Sequence, residues 1–208
     1  QLQSGALPLD LRQDKLDTIS ATLGVDALGT SVKAAIIGIL IVMLIMLVRY
    51  RVAGLVADWA LCIYIILLFL FIAVVPGIQL TLPGIAGVIL GIGMAVDANV
   101  VIFERVKEEV RAGRPTIHAV RIGFKHAMSA VVDANITTII AAVVLLFFGT
   151  GSVQGFATTL LLGVIASMLT AILITRFLLT CVVRIWPNPA LYAANAKPAA
   201  DETVKEAK

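Results

Sequence analysis

The sequence predicts an all-α membrane protein, a polytopic bundle of five transmembrane helices. Two properties of its 208 residues support this prediction: 60% of them are hydrophobic, and only 14% are charged. Soluble domains hold about 45–50% apolar and about 25% charged residues. Five apolar stretches, each close to the roughly 20 residues that a helix needs to cross a bilayer, give the number of helices. They cover approximately residues 32–48, 59–75, 85–103, 129–148 and 156–183.

Turn-forming residues separate these stretches. Pro76 ends the second stretch, and Thr81 followed by Pro83 suits the start of the third, as a helix cap and a helix-opening proline. The fourth stretch stops at the Gly-Thr-Gly-Ser run of residues 149–152. Each stretch is therefore predicted as a separate helix, and residues 32–186 as one transmembrane bundle.

Both ends of the chain are polar. Residues 1–31 are too few to bury a core, and we expect them to be the end of a missing extracytoplasmic domain. The chain opens on Gln1 without a signal peptide, so we expect it to be part of something longer. Residues 187–208 are rich in Ala, Pro and charge, and we expect a disordered cytoplasmic tail.

Lys and Arg are unevenly distributed among the connections. Residues 76–84 and 149–155 contain neither, whereas the other connections are basic. The positive-inside rule places the basic connections and the C-terminus in the cytoplasm, and residues 1–31 outside. The basic residues concerned are Arg49, Arg51, Arg105, Lys107, Arg111, Arg114, Arg121, Lys125, Arg184, Lys197, Lys205 and Lys208.

The long cytoplasmic connection, residues 104–128, is predicted to be helical. Val106 and Val110 continue the apolar stripe of the third stretch, and Pro115 suits a first helical turn. Two arrangements remain open. One is an amphipathic element on the membrane surface, and the other is a solvated hairpin whose basic side chains reach toward the lipid headgroups. The apolar positions of its second half are Ile117, Val120, Phe124 and Met128.

The tripeptide Asp-Ala-Asn occurs twice inside apolar stretches, at Asp97 and at Asp133. A carboxylate at the centre of a membrane helix costs roughly 2.5 kcal/mol or more, and such residues usually serve proton or ion relays or substrate pathways. Asp97 lies about 4–5 Å past the midpoint of its stretch, and Asp133 is expected nearer the interface. We predict a proton relay of Asp97, Asp133 and Thr137, whose hydroxyl lies one turn after Asp133. The alternative is that both carboxyls only hydrogen-bond to neighbouring helices.

Small and amide residues surround the two triplets. Gly87 and Gly91 form a small-residue packing face, and Gly93 lies one turn before Asp97. Asn99 and Asn135 face nearly away from the carboxyls, and we predict that they cross-link helices.

Asp97 has no obvious counter-charge in this chain. Arg176 is the nearest candidate, but it lies close to the cytoplasmic end of the fifth stretch, where it can reach the headgroups. Either Asp97 rests protonated, because burial disfavours its charge, or a second polypeptide supplies the cation.

Several function classes are disfavoured. The net charge of +3 is too weak for a nucleic-acid-binding protein, and Cys62 and Cys181 lie in apolar stretches, where they suit buried hydrophobes. Because the sequence shows no catalytic triad, phosphate-binding loop or metal-ligand motif, we expect no enzyme, no metal site and no cofactor.

Longer motifs resemble a known family. Residues 80–87, 91–100 and 102–105 closely resemble the signature of SecD, the protein-export membrane subunit of the RND superfamily. Further matches are Asp133-Ala134-Asn135 with Thr137-Thr138, Gly155-Phe156-Ala157 and Thr175-Arg176, as well as Tyr50-Arg51, Gly54-Leu55 and Ala57-Asp58.

This resemblance implies a function. The bundle would be half of an RND-type twelve-helix assembly in a bacterial cytoplasmic membrane, with SecF, separate or fused, as the other half. The proton motive force would assist preprotein translocation beside the Sec channel, and Asp97 matches the family's proton-pathway residue. A SecF helix packed against Gly87 and Gly91 would supply the missing cation. Two alternatives remain: an RND-like proton-driven exporter of a small molecule or lipid, and a passive translocon scaffold.

Overall fold

Helices form all of the regular secondary structure in the described part of the chain. The computed structural model describes residues 21–76, 78, 81–186, 188 and 192, with side chains from residue 27 onward. Five of its helical segments are long and apolar enough to cross a membrane, which confirms the predicted fold class. The helices are α1 (Ala21–Tyr50), α2 (Val52–Val74), α3 (Leu82–Arg111), α4 (Thr116–Phe148), α5 (Ser152–Leu169) and α6 (Arg176–Ile185), and a π-helical segment (Thr170–Thr175) joins the last two into one span.

Local sequence explains where these helices begin. The Thr81 side chain accepts a hydrogen bond of 3.2 Å from the Gly84 backbone N–H, and Pro83 stands in the first turn of α3. Pro115 immediately precedes α4. Gly151 precedes α5 with φ +55°, a backbone conformation that glycine adopts without strain.

The helices are longer than the predicted apolar stretches. α1 begins at Ala21, so residues 21–31 are helical and continuous with the first span. α2 begins at Val52, seven residues before the predicted start at Trp59, and therefore includes Asp58. The expectations for residues 1–20 and for most of the tail lie outside the described residues. Within that tail, Tyr192 is buried and donates a hydrogen bond of 3.0 Å to the Trp186 carbonyl oxygen.

Residues 104–128 form a hairpin of two extended helices. α3 continues to Arg111 and α4 begins at Thr116, so the segment prolongs both spans instead of forming a separate element on the membrane surface. The two arms pack closely, because a Cβ atom on Gly123 would lie only 2.7 Å from the Val106 Cα atom. Most of the apolar positions identified in the sequence are buried here, and the largest cluster of buried residues includes Val106, Val110, Val120 and Phe124, whereas Ile117 is exposed.

The third span is the centre of the bundle. α3 packs most extensively against α5 and α4, and α2 packs against α3, α5 and the π-helical segment. α1 lies at the periphery, and its long apolar side chains, such as Ile37, Leu40 and Leu44, are more than half exposed in the isolated chain. This arrangement leaves one side of the α3–α4 pair open.

Candidate functional site

Asp97 lies deep within the third span and is exposed on the open side of the bundle. Fifteen residues separate it from Leu82, the first residue of α3, which corresponds to about 22 Å along the helix. A hydrocarbon core is about 30 Å thick. The carboxyl is therefore well inside the membrane, yet this chain does not cover it.

A cleft of about 140 Å³ between α3 and α4 contains this carboxyl. We call it the Asp97 cleft. Small side chains leave the space, since Ala98, Ala130 and Ala134 are among the lining residues. Its polar groups are Asp97, Asn135 and Thr138, and Met94, Val101 and Val131 complete the lining.

The two polar α4 side chains in the cleft, Asn135 and Thr138, have oxygen atoms that can still accept hydrogen bonds. The Asn135 amide donates a hydrogen bond of 2.7 Å to the Val131 carbonyl oxygen, and the Thr138 hydroxyl donates one of 3.1 Å to the Ala134 carbonyl oxygen. The Thr138 hydroxyl uses its single donor within α4, the Asn135 amide uses one of its two N–H groups, and both residues still present side-chain oxygens. Such oxygens can accept a hydrogen bond from a carboxylic acid hydroxyl, and the second Asn135 N–H can donate one.

Asp133 and Thr137 lie outside this cleft. Both are exposed on another face of α4, and the Thr137 hydroxyl donates a hydrogen bond of 2.9 Å to the main-chain carbonyl of Asp133, not to its carboxyl. Asp133 is fifteen residues from Phe148, the last residue of α4, as Asp97 is from Leu82, the first residue of α3. The structure thus brings Asn135 and Thr138, and not Thr137, beside Asp97.

Asn99 connects α3 to the fifth span. The Thr175 hydroxyl donates a hydrogen bond of 2.9 Å to the Asn99 side-chain oxygen, and both residues are buried. Thr175 is the last residue of the π-helical segment. Segments of this kind are rare and frequently occur at functional sites. The Asp97 triplet is therefore coupled to an irregular turn on its buried side.

The predicted glycine face is covered by this chain itself. A Cβ atom on Gly87 would collide with the Thr159 hydroxyl, and one on Gly91 would lie 2.7 Å from the Tyr64 hydroxyl and 3.5 Å from the Gly163 Cα atom. α5 and α2 of the same chain thus pack on the small-residue face, on which a partner helix was also expected. Gly93 is different, because nothing lies within 4 Å of an added Cβ atom. It shares the open side with Asp97.

Neither membrane carboxyl has a partner within the described residues. The ion pairs of this region lie beyond the spans, around Glu104 and Glu109. Among the same residues no group of three or more His, Cys, Asp or Glu side chains could hold a metal ion. The open side of α3 and α4 therefore presents a carboxyl without a counter-charge.

Two comparisons of sequence place this architecture in a family. The family model described as "Protein export membrane protein SecD/SecF, C-terminal" matches residues 4–184. The protein translocase subunit SecD of Acidaminococcus fermentans is 49% identical over 199 residues, covering 94% of this chain and 47% of that protein. The SecD subunit of Synechocystis is 46% identical and is matched over 42% of its length. The chain thus spans less than half the length of these relatives.

Solved structures agree with the sequence comparisons. The crystal structure of SecDF from Thermus thermophilus, described as a translocon-associated membrane protein, superposes with a TM-score of 0.79 at 39% identity, over 82% of this chain and 24% of that one. A super-membrane-facing form of SecDF gives a TM-score of 0.73 at 40% identity. On the sequence match, the five spans and the shared fold, this multi-pass membrane chain belongs to the SecD/SecF family of protein-export membrane proteins.

Proposed function

We propose that this chain is the membrane part of a Sec protein-export subunit, in which Asp97 takes up and releases a proton to drive preprotein translocation. The observation that carries the proposal is the position of the Asp97 carboxyl, deep in a span but open to the outside of the bundle. Its relatives are named protein translocase subunits, which gives the process that the proton would serve.

The uncovered carboxyl also points to a partner. An ionised side chain facing lipid costs roughly 2.5–3.5 kcal/mol on insertion scales, so the open side of α3 and α4 needs a protein cover if Asp97 is to lose its proton. We assign that cover to the SecF half of a twelve-helix assembly. It would contact Gly93 and the Asp97 cleft, and not the Gly87 and Gly91 face, which α5 already occupies.

Proton binding has a direct structural consequence in this site. When Asp97 is protonated, its hydroxyl can donate to the side-chain oxygen of Asn135 or Thr138 across the cleft, which draws α3 and α4 together. When it is ionised, it can only accept, and a cation of the partner becomes its best neighbour. The carboxyl thus exchanges a contact with α4 for a contact with the partner. The resulting movement of α3 relative to α4 is transmitted to the segments outside the membrane.

The orientation of the chain in the membrane follows from the distribution of its Lys and Arg residues. We infer that the connections at residues 75–81 and 149–151 are extracytoplasmic and that the hairpin is cytoplasmic, as the positive-inside rule requires. The Sec channel and the preprotein would be met by parts of the parent protein other than these helices.

The test is the substitution Asp97→Asn in the full-length protein together with SecF. Asparagine keeps the volume of the side chain but binds no proton, so preprotein translocation into membrane vesicles should fall to the level measured without a proton motive force. Asp133→Asn removes the same charge at the same depth outside the cleft, and we expect it to reduce translocation less.

Copurification of SecF and the membrane level of each variant separate the possible results. Translocation lost while SecF is retained supports the proton relay. Full translocation with Asp97→Asn would contradict it. Loss of SecF together with translocation would instead assign Asp97 a structural role in assembly, as expected of a scaffold subunit.

A further inference from the structure

A second cavity, of about 380 Å³, lies between α4 and the start of α6. We call it the basic cavity. Arg121 and Lys125 lie four residues apart on α4 and therefore share one face of the helix. Arg176 faces them from the first position of α6, and Phe124 and Met128 complete the lining.

The three cations of this cavity have no anionic partner in the part of the chain that the structure describes. Arg121, Lys125 and Arg176 are all exposed, and no acidic residue is among the lining residues. The nearby carboxylates are engaged elsewhere: Glu104 with Arg49 and Lys107, Glu108 with Arg105, and Glu109 with Arg114 and His126. Three like charges around one cavity repel each other, so a bound anion would stabilise this arrangement.

The depth of the cavity identifies the kind of anion. Lys125 and Arg121 are 23 and 27 residues from Phe148, the last residue of α4, and Arg176 is 24 residues from Ser152, the first of α5. At 1.5 Å per residue these are distances of about 35–40 Å from the opposite membrane face. A hydrocarbon core is about 30 Å thick, and the headgroups extend the bilayer to about 40–45 Å. Measured from the hydrocarbon boundary on that face, the far headgroup layer lies at about 30–37 Å. Lys125 and Arg176 therefore lie at headgroup level, and Arg121, one turn farther out, can reach the headgroups with its long side chain.

The apolar lining agrees with a lipid. Met128 is 20 residues from Phe148, or about 30 Å, which is the boundary of the hydrocarbon core. The cavity thus offers an apolar wall at the level where acyl chains begin and cations at the level of the phosphates. A free inorganic anion would use only the second of these features.

We propose that the basic cavity binds the headgroup of an anionic phospholipid, preferentially one with two phosphates such as cardiolipin. The two guanidinium groups suit bidentate contacts with phosphate oxygens, and Lys125 adds a third charge. Basic pockets between transmembrane helices at this level are a known kind of site for such headgroups. This proposal is independent of proton transfer at Asp97. A bound headgroup would join α4 to the residue that directly follows Thr175.

Lipid retention by the full-length protein tests the proposal. The protein is reconstituted with cardiolipin and phosphatidylcholine, extracted in mild detergent and weighed by native mass spectrometry to count retained lipids. Arg121→Gln, Lys125→Gln and Arg176→Gln should each weaken cardiolipin retention about fivefold, the effect of one cation near a lipid surface. Arg111→Gln and Arg184→Gln are matched controls, because these exposed arginines lie at the same end of the spans but outside the cavity.

Three results would overturn the proposal. Equal losses in the control variants would mean general attraction of anionic lipid to a basic surface. Displacement of cardiolipin by inorganic phosphate alone would identify a free-anion site. Unchanged lipid retention with loss of SecF or channel copurification would identify a protein contact. Circular dichroism of every variant verifies that it is folded, so a loss of retention is assigned to the cavity.

Discussion

At the scale of single residues, Gly91 determines how closely the second span approaches the third. A Cβ atom there would lie 2.7 Å from the Tyr64 hydroxyl oxygen, which is buried without a hydrogen-bond partner in the described residues. We predict that Gly91→Ala lowers the free energy of unfolding by about 1–3 kcal/mol through overpacking. Thermal unfolding of the purified protein in detergent measures the change.

The same helix offers a matched control. Gly93→Ala adds the same methyl group where nothing lies within 4 Å, so it should be neutral or slightly stabilising. Tyr64→Phe removes the hydroxyl that the new methyl meets, and combined with Gly91→Ala it should restore most of the lost stability. Equal melting temperatures for the two alanine variants would contradict this account.

The residues of the site differed in how far the sequence could predict them. Asp97 and Asp133 are evident from the sequence because charge is rare in apolar stretches. Thr138 was missed in favour of Thr137, although its position three residues after Asn135 places both on one helix face. Gly87 and Gly91 indicate that a helix packs closely on their face, but small residues do not specify which one. The helices packed there are α5 and α2 of the same chain.

At the scale of helices, α3 and α4 extend beyond the membrane as one hairpin whose tip is the turn at Ala112–Pro115. We predict that a cysteine at Ala112 reacts with a membrane-impermeant thiol reagent only after the cells are opened. A cysteine at Ser152 should react on intact cells. Both residues are exposed, and neither has the positive φ of the adjacent Gly113 and Gly151. The background lacks Cys62 and Cys181.

The full-length protein in intact cells is used for this measurement. Labelling at Ala112 with protection at Ser152 would reverse the orientation. Labelling of both positions on intact cells would instead mean that the cells leak, which a cytoplasmic control protein detects.

The five apolar stretches predicted the existence of all five spans but not their ends. The apolar stretch ends at Phe103, but α3 continues to Arg111 because Val106 and Val110, which were predicted to continue its apolar stripe, are buried against α4. The π-helical segment was not predicted. A wider turn leaves the apolar pattern of the fifth span nearly unchanged, and only the buried Thr170 and Thr175 distinguish that region.

At the scale of the whole molecule, Glu104 connects the outlying first span to the centre. Its carboxylate accepts a hydrogen bond of 3.0 Å from the Tyr50 hydroxyl and lies 3.3 Å from the Arg49 guanidinium and 3.2 Å from the Lys107 ammonium group. Lys107 is only 4% exposed, and this carboxylate is its counter-charge. α1 otherwise contributes few buried residues to the bundle.

We therefore predict that Glu104→Gln lowers the free energy of unfolding by about 1–2 kcal/mol, because a nearly buried ammonium group loses its counter-charge. The partial exposure of Glu104 limits the effect. Glu108→Gln is the control, since its pair with Arg105 is exposed on both sides and should contribute little. Chemical denaturation in detergent compares the two, and equal midpoints would show that Glu104 does not hold α1 in place.

The π-helical segment sets the angular phase of everything that follows it. A π turn contains one residue more than an α turn, and one residue corresponds to about 100° of rotation in an α-helix. Arg176 and the rest of α6 are therefore turned by about a quarter of a circle from where an uninterrupted α-helix would present them. The Thr175 bond to Asn99 and the position of Arg176 opposite α4 both depend on that single added residue. Without the added residue, Thr175 and Arg176 would both be rotated away from these contacts at once.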